Sequence, residues 1–469
     1  MSEITTLAEY ATIQGGYAYK STDFLKTGKF KVLKIKNIRF GYIDYSETDF
    51  ISDQLSKKTE EWKTKPKDIL ISMTGSGPNA PASLVGRVAR VGENEPISFI
   101  NQRIGRVIVN EKVDSDYIYY LLSQKSSQEY FVNNSTGSAN QVNINGNTIL
   151  SLEVPCISFE ESKKIAQILN AFDDKIQLNT QINQTLEQIA QALFKSWFVD
   201  FDPVRAKAQA LSDGLSLEQA ELAAMQAISG KTPEELTALS QAQPDRYAEL
   251  AETANAFPCE MVEVDGVEVP KGWEVKRIDE IANIIKGKSY KSSELEKSKT
   301  ALVTLKSFNR GGGYRLDGLK EYTGKYKPEQ EVFAGELIIA YTDVTQAADV
   351  IGKPAMVMSD SNYQHLVISL DVGVVRPFNN VYKHFLYCLA MTDSFQAHTK
   401  SFCTGTTVLH LGKDAVPSFE FINPSNELLH VFYKQTSPIF EKINLHIEEN
   451  KNLEKARDLL LPSLLSGKS

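Results

Sequence analysis

Two stretches of the chain repeat one amphipathic helix. The first, "NQTLEQIAQALFKSWFVDFDPV" (Asn183–Val204), lies near the middle of the 469 residues, and the second, "NKNLEKARDLLLPSLLSGKS" (Asn450–Ser469), lies at the end. At a shift of 267 residues Leu193 falls on Leu460, with Asn, Leu, Glu and Ser matches around it. A helix repeated in this way predicts a chain built from two copies of one unit, each a globular domain followed by a long helix.

The repeat extends through the globular segments. "LAEYATIQGGYAYKST" (Leu7–Thr22) matches "IDEIANIIKGKSYKSS" (Ile278–Ser293) at seven of 16 positions, and "DILISMT" from Asp68 matches "ELIIAYT" from Glu336. Short apolar runs bounded by Gly, Pro, Asn and Asp predict strands in each copy, and "DYIYYLLSQKSSQEYF" has helical spacing. Each globular segment is therefore predicted to mix α and β structure.

The predicted fold class is α+β, with two mixed α/β domains separated and joined by two long antiparallel coiled-coil helices in an internal pseudo-two-fold repeat. The predicted boundaries are 1–155 for the first domain, 156–200 for the first long helix, 201–270 for a connector, 271–423 for the second domain and 424–469 for the second long helix. The connector lacks the Gly/Ser richness of a flexible linker, so we predict a folded, mostly helical segment that ends in a hairpin at "VEVDGVEV".

Apolar residues three or four apart give each long helix a coiled-coil seam. Asn183 and Asn450 occupy matching seam positions, where a polar residue fixes the register at some cost in stability. The alternative is two amphipathic helices that each pack only on their own domain. The residues predicted to form the interhelix seam are Phe172, Ile176, Asn183, Leu186, Leu193, Ile443, Asn450, Leu453 and Leu460.

The acidity of the chain is confined to the connector. The net charge is −8, and between Pro203 and Pro270 there are 12 acidic and 4 basic residues, which accounts for the whole excess. The two halves are therefore free to carry local basic faces. Four well-separated cysteines without a CxxC pair indicate free thiols in a reducing cytoplasm. Neither a signal peptide nor an apolar run of about 18 residues is visible, so we expect a cytoplasmic protein.

Catalytic motifs are absent from the sequence. There is no Gly-x-Gly-x-x-Gly loop and no Gly-x-Ser-x-Gly elbow, and "FDPV" and "NPSN" each lack the second proline of an amino-methyltransferase motif. The closing "SGKS" lacks the glycine-rich lead-in of a phosphate loop. His398 and Cys403 stand at ligand spacing, but one such pair is a weak signal. We therefore predict no catalytic residue, no metal ligand and no cofactor in this chain.

Polar, glycine-rich loops occur at matching positions in the two halves. They include the uncharged "NNSTGSANQVNIN" and the repeated "GxxYKS". Amides and hydroxyls suit base edges and phosphates alike, and glycine lets backbone N–H groups approach. Ordinary turns with solvated side chains are the alternative for any single loop, but the repetition favours DNA contact. The residues predicted to contact DNA are Tyr19, Lys20, Ser21, Arg39, Ser76, Asn79, Arg103, Ser138, Asn140, Gln141, Lys288, Tyr290, Lys291, Arg310, Tyr314, Arg315, Thr342, His365, Thr404 and Thr406.

The chain resembles the specificity (S) subunits of type I restriction–modification systems. The most specific segments are "QTLEQIAQALFKSWFVDFDPV", "PKGWEVKRIDEIANIIKGKSYKS" and "LEKARDLLLPSLLSGK". The resemblance implies a non-catalytic reader of double-stranded DNA, with one target-recognition domain for each half of a bipartite, asymmetric target. It also implies two modification subunits, which bind S-adenosylmethionine and methylate adenine N6, and restriction subunits that use ATP and Mg²⁺.

Two other classes of protein remain open from the sequence. An enzyme with a cryptic active site would show activity from the chain alone. A scaffold or inhibitor that mimics DNA, suggested by the acidic connector, would not bind nucleic acid. Neither class explains the polar loops at repeated positions.

Overall fold

A computed structural model describes residues 3–77, 83–138, 141–264, 266–343, 348–406 and 408–465. The chain forms two compact units. Unit 1 contains Met1–Gln177 together with Lys451–Ser469, and unit 2 contains Leu178–Asn450. The units therefore do not follow chain order, because the last part of the chain belongs with the first domain.

Unit 1 mixes short strands with short helices, as the sequence predicts. Its strands are β1 (Ile4–Thr6), β2 (Ala11–Gly15), β3 (Phe30–Leu33), β4 (Asp49–Ile51), β5 (Ile69–Ser72), β6 (Thr74–Gly75), β7 (Val88–Arg90), β8 (Ser98–Ile100), β9 (Ile104–Val109), β10 (Thr136–Ser138), β11 (Gln141–Asn143) and β12 (Glu153–Pro155). The helices that begin in the first 198 residues are α1 (Asp53–Lys58), α2 (Ser115–Ser123), α3 (Lys125–Asn133), α4 (Gly146–Leu150) and the long α5 (Phe159–Phe198).

The central sheet of unit 1 is antiparallel, with strand order β2-β9-β5-β7. A second sheet has the order β4-β3-β8, in which β3 and β8 run parallel. Helix α2 covers the central sheet and begins after Asp114, whose carboxylate accepts the N–H groups of Asp116 and Tyr117 at 2.9 and 3.3 Å. Apolar side chains from the sheet and from α2 bury together and form the main core of this unit.

The described part of the connector is folded into four helices and a hairpin. It contains α6 (Asp202–Ser212), α7 (Leu217–Ser229), α8 (Pro233–Ala242), α9 (Pro244–Asn255) and a hairpin of β13 (Met261–Val264) and β14 (Val267–Pro270). The ammonium group of Lys207 is buried and donates to the carbonyl oxygens of Ala254 and Phe257 at 2.9 and 2.8 Å, which ties α6 to the end of α9. The connector packs on α5 through the edge-to-face pair of Trp197 and Phe257.

The rest of unit 2 repeats the plan of unit 1. Its strands are β15 (Glu274–Arg277), β16 (Ala282–Lys286), β17 (Thr300–Val303), β18 (Lys320–Glu321), β19 (Glu331–Val332), β20 (Leu337–Ala340), β21 (Thr342–Asp343), β22 (Pro354–Met356), β23 (His365–Ile368), β24 (Val372–Pro377), β25 (Cys403–Thr404), β26 (Leu409–Leu411) and β27 (Glu420–Asn423). Its remaining helices are α10 (Tyr382–Met391), α11 (Asp393–Ser401) and the long α12 (Asn426–Leu465), which continues into unit 1. The sheet order β16-β24-β20-β22 reproduces β2-β9-β5-β7, which confirms the internal repeat.

The two long helices are antiparallel within unit 2. The side-chain amide of Asn179 donates to the Oδ1 atom of Asn450 at 2.8 Å, and Asn183 Oδ1 lies 2.8 Å from His446 Nδ1. As the residue number rises along α5, the residue number of the contacting residue on α12 falls, so the two helices run in opposite directions. Leu186 and Leu193 of α5 pack against the core of unit 2, so the alternative in which each helix packs only on its own domain is wrong.

The remaining seam residues divide between buried and exposed positions. Ile443 is buried, whereas Phe172, Ile176 and Leu453 are half-buried. Leu460 remains 38 % exposed, which corrects the prediction for this position. In its place, α12 packs on the core of unit 1 through Leu461, Leu464 and Leu465. The reason is that the end of α12 meets a domain surface there, whose buried face differs from a heptad seam.

Within the described part of the chain, no helix is long and apolar enough to cross a membrane.

Candidate nucleic-acid interface

Each unit extends a three-stranded ribbon from one end of its central sheet. In unit 1, β5 continues into β6, which pairs with β11, and β11 pairs with β10. In unit 2, β20 continues into β21, which pairs with β26, and β26 pairs with β25. We call these two three-stranded segments the edge ribbons. The uncharged loop "NNSTGSANQVNIN", predicted from the sequence to meet DNA, supplies the outer strand in unit 1. In unit 2 the outer strand comes from the segment "CTGT" (403–406), which contains the predicted contact residues Thr404 and Thr406.

A β-turn of four residues, 101–104, lies beside the edge ribbon of unit 1. The N–H of Ile104 donates to the carbonyl of Asn101 at 2.8 Å and closes the turn. The carbonyl of Arg103 accepts the N–H of Met73, the residue between β5 and β6, at 2.8 Å. A Cβ on Gly16 would lie 2.2 Å from the carbonyl oxygen of Asn101, so only glycine allows this approach.

Unit 2 builds the same turn with the same bonds. The N–H of Val372 donates to the carbonyl of Ser369 at 2.9 Å, and the carbonyl of Asp371 accepts the N–H of Tyr341 at 2.7 Å. A Cβ on Gly287 would lie 2.1 Å from the carbonyl oxygen of Ser369. We call residues 101–104 and 369–372 the edge turns. The "GxxYKS" repeat is thus explained in part by the glycine that each turn requires.

Half of the predicted DNA-contacting residues are exposed. Arg103 lies in an edge turn, and Gln141 and Thr404 lie in the edge ribbons. The other exposed members of the set are Lys20, Ser21, Lys291, Arg310, Arg315, His365 and Thr406. Ser138 ends β10. Asn79 and Asn140 lie outside the described residues.

Tyr19 is a core residue in the structure and Tyr314 packs against the core, which corrects the prediction for both. Tyr19 is buried in a small apolar cluster, and its hydroxyl donates to Thr59 Oγ1 at 3.1 Å. Burial raises the pKa of Tyr19 to about 12. The hydroxyl of Tyr314 is also buried, and burial raises its pKa above the ordinary value. From the sequence, an aromatic residue beside polar residues can either contact DNA or pack against the core. In the structure both rings pack against the core.

Two predicted hydroxyl contacts are likewise enclosed. Ser76 is buried with its Oγ atom 2.9 Å from Ser83 Oγ. Thr342 is buried and donates to Asp371 Oδ1 at 2.8 Å. Small hydroxyl residues that follow a strand are often taken up by local turns, and these two residues hold the ribbons in place rather than face solvent.

Several predicted contact residues pair with neighbouring carboxylates. Arg315 makes a bidentate pair with Asp317 at 2.9 and 2.5 Å, and half-buried Arg39 lies 3.3 Å from Asp44. The Nδ1 atom of His365 lies 2.7 Å from Glu331. Such surface pairs contribute little stability and can exchange for phosphate contacts.

The remaining basic and aromatic members lie near the start of each domain. The backbone N–H groups of Lys20 and Lys291 donate to Asp23 and Glu294, each at 2.7 Å, so the two lysines hold equivalent backbone positions with exposed side chains. Lys288 and Tyr290 are half-buried, and Lys320 donates to the hydroxyl of Tyr290 at 3.4 Å.

The opposite end of the central sheet in unit 1 is anchored to the long helices. Arg90 of β7 lies 2.7 Å from Asp116 of α2 and donates to Asn170 Oδ1 of α5 at 3.1 Å. Arg457 of α12 lies 2.6 Å from Asp173 of α5. Burial opposes ionisation of Asp116, but the hydrogen bond from Asn170 and the charge of Arg90 outweigh it and lower its pKa. In β5, Ile69 pairs with Arg90 whereas Ser72 leads into the ribbon. The anchored end and the ribbon end of the sheet are therefore distinct.

Sequence reasoning missed three exposed or half-exposed residues at these edges, namely Asp371, Asn143 and His410. Asn143 and His410 hold equivalent ribbon positions, since each pairs with the first residue of β6 or β21. A residue-by-residue alignment of the two halves at these loops could have found them, because each pairs with a polar residue at its equivalent position.

A model of a known protein family matches most of the chain. The model described as "Type I restriction modification DNA specificity domain" matches residues 2–188 and 270–455. The chain belongs to this family. The two matched segments correspond to the two repeats, and the connector falls between them.

Members of the specificity family are similar to this chain over most of its length. The "Type I restriction enzyme HindI specificity subunit" of Haemophilus influenzae is 44 % identical over 365 residues, which cover 75 % of this chain and 77 % of that protein. The "Type I restriction enzyme MjaIX specificity subunit" of Methanocaldococcus jannaschii is 27 % identical over 380 residues, which cover 78 % and 72 %. A crystal structure of the S subunit of a type I restriction–modification system from M. genitalium aligns over 100 % of this chain and 97 % of that one, with 16 % identity and a TM-score of 0.48.

Proposed function

We propose that this chain is the DNA-reading subunit of a type I restriction–modification complex and performs no chemistry itself. In this proposal, the domain of residues 1–155 reads one half of a bipartite, asymmetric target and the domain of residues 271–423 reads the other half. The ligand is double-stranded DNA, and the chain works in the cytoplasm, where that DNA is found.

The observation that carries the proposal is a scaffold built twice with different exposed side chains. The edge turns and edge ribbons of the two units share backbone hydrogen bonds, yet Arg103 corresponds to Asp371 and Asn143 to His410. A duplicated frame with changed polar surfaces suits two different half-sites, because base edges are distinguished by donor and acceptor pattern. The family relationship supports the same reading.

A symmetric feature of the long helices supports two copies of one partner subunit. In the repeat, Asn179 is equivalent to His446 and Asn183 is equivalent to Asn450, each 267 residues further along the chain. The contact of Asn179 with Asn450 is therefore equivalent to the contact of His446 with Asn183. Leu178 of α5 and Leu445 of α12 are also equivalent positions, 267 residues apart, and they are 50 % and 62 % exposed. Two equivalent apolar positions suit two modification subunits. Restriction subunits would join the same complex for cleavage.

The cofactors are assigned to the partner subunits. Among the described residues, no group of three or more His, Cys, Asp or Glu side chains could hold a metal ion. We propose that S-adenosylmethionine binds the modification subunits, and that ATP and Mg²⁺ bind the restriction subunits.

Mapping methylated adenines in the host genome with and without the gene tests this function. A bipartite motif that disappears when the gene is deleted is the expected result. Exchanging residues 1–155 for those of a relative should then change one half of the motif only. A methylation pattern that does not depend on the gene would refute the proposed function, and a change in both halves would refute the assignment of one domain to each half-site.

A further inference from the structure

The two edge turns combine one backbone with opposite charges. Each turn is closed by an equivalent hydrogen bond, is bonded to an equivalent strand and is approached by an equivalent glycine, Gly16 or Gly287. At the third position of the turn, unit 1 carries Arg103 and unit 2 carries Asp371. Because the backbones match, these two side chains leave equivalent points of the two domains.

The two side chains differ in what they can bind. Arg103 is exposed, and no carboxylate in the described part of the chain pairs with its guanidinium group. It presents donors in a fork that fits the O6 and N7 acceptors of guanine. Asp371 is half-exposed, and the hydroxyl of Thr342 holds its Oδ1 atom at 2.8 Å. This bond orients the carboxylate and leaves Oδ2 to accept a hydrogen bond from the N4 amino group of cytosine.

We propose that the edge turns are base-reading elements, with Arg103 reading a guanine in one half-site and Asp371 reading the amino group of a cytosine in the other. This inference rests on the proposed function and assigns specificity within it.

The opposite charges argue against the simpler idea that the turns contact phosphates. Equivalent points on two similar domains face equivalent parts of the duplex. A phosphate at that place would attract Arg103 but repel Asp371, because every phosphate carries a negative charge. Base edges in the major groove offer both acceptors and donors. A base edge is therefore compatible with an arginine in one unit and an aspartate in the other, whereas a phosphate is not.

The test measures methylated adenines genome-wide in cells that make the full modification complex with Arg103→Ala, Asp371→Ala or Arg103→Lys. The control is Arg277→Ala, an exposed arginine of β15 that pairs with Asp279. Arg103→Ala should make one G·C position in one half of the motif degenerate, and Asp371→Ala should do so in the other half. A bidentate base contact is worth about 1–3 kcal/mol, so discrimination at the position that Arg103 reads should fall about 5- to 150-fold. The control should leave the motif unchanged.

Other outcomes would overturn the inference. Lower methylation with an unchanged motif would place Arg103 on a phosphate. If Arg103→Ala abolishes methylation altogether, the motif methylated with Arg103→Lys shows whether Arg103 contacts a base or a phosphate. Reduced guanine discrimination in that variant supports base reading, since lysine cannot form the fork, whereas an unchanged motif refutes it. A wild-type motif in which either half lacks a G·C pair would also refute the inference while leaving the proposed function intact. Absence of any bipartite motif would instead refute the proposed function.

Discussion

A matched insertion into the two long helices tests whether they set the spacing between the recognition domains. Helix α5 passes from unit 1 to unit 2 between Gln177 and Leu178, and α12 passes back between Asn450 and Lys451. Adding four residues at both places inserts one turn between the units and leaves the residues of each unit unchanged. The rise is ~6 Å at ~1.5 Å per residue.

This rise corresponds to one or two base pairs of ~3.4 Å each. The non-specific gap in the methylated motif should therefore lengthen by one or two base pairs, and the bases read on either side should stay the same. The assay is the genome-wide map of methylated adenines described above.

The control for this experiment inserts four residues into α5 alone, just before Asn183. That change shifts Asn183 away from His446 within one unit and should reduce stability and methylation together. If the matched double insertion is active and its motif keeps the original gap, the helices do not space the domains and the reasoning is refuted.

Three further predictions concern individual side chains. Asn183→Leu should remove the 2.8 Å hydrogen bond between Asn183 and buried His446 and lower the free energy of unfolding by about 1–3 kcal/mol, measured by urea denaturation. A larger loss for the double change to Leu at both positions would contradict this. Lys20→Ala and Lys291→Ala should each weaken DNA binding to all sequences alike and reduce the salt dependence by about one phosphate contact, and a changed sequence preference would place that lysine at a base. Burial lowers the pKa of His384 to about 3, below its unfolded value of about 6.5, so its contribution to stability is complete above pH 6.5 and is lost as the pH falls toward 3. We expect it to fall by about 2 kcal/mol from pH 7 to pH 5, measured as the difference in pH dependence between wild type and His384→Gln, and identical profiles would refute it.

The acidic connector has a structural role in unit 2 whatever else it does. Buried Lys207 ties α6 to the end of α9, and Phe257 packs on Trp197 of the long helix. Its exposed carboxylates would repel DNA phosphates. The basic and polar residues proposed to meet DNA lie in the two repeats on either side of it.

The sequence alone determined the repeated architecture. Periodicities of two and of about 3.6 residues are local properties, so apolar strands such as β5 and β20 and both long helices could be predicted from them. The match between Leu193 and Leu460 located the duplication, and the polar positions Asn183 and Asn450 predicted a paired seam. The structure has both residues in that pairing, although with Asn179 and His446 as partners rather than with each other.

Only the tertiary structure decided which polar and aromatic residues of the loops are exposed. Tyr19 and Lys20 are adjacent in sequence and were predicted alike, but the ring of Tyr19 is buried against strands far along the chain while Lys20 is exposed. The equivalence of Asp371 and Arg103 depends on the tertiary structure, because it rests on the hydrogen bonds that their two turns share. Burial and orientation depend on contacts between distant segments, which no local pattern encodes. The sequence therefore determined where the recognition domains and helices lie, and the packing between distant segments determined which side chains each domain presents.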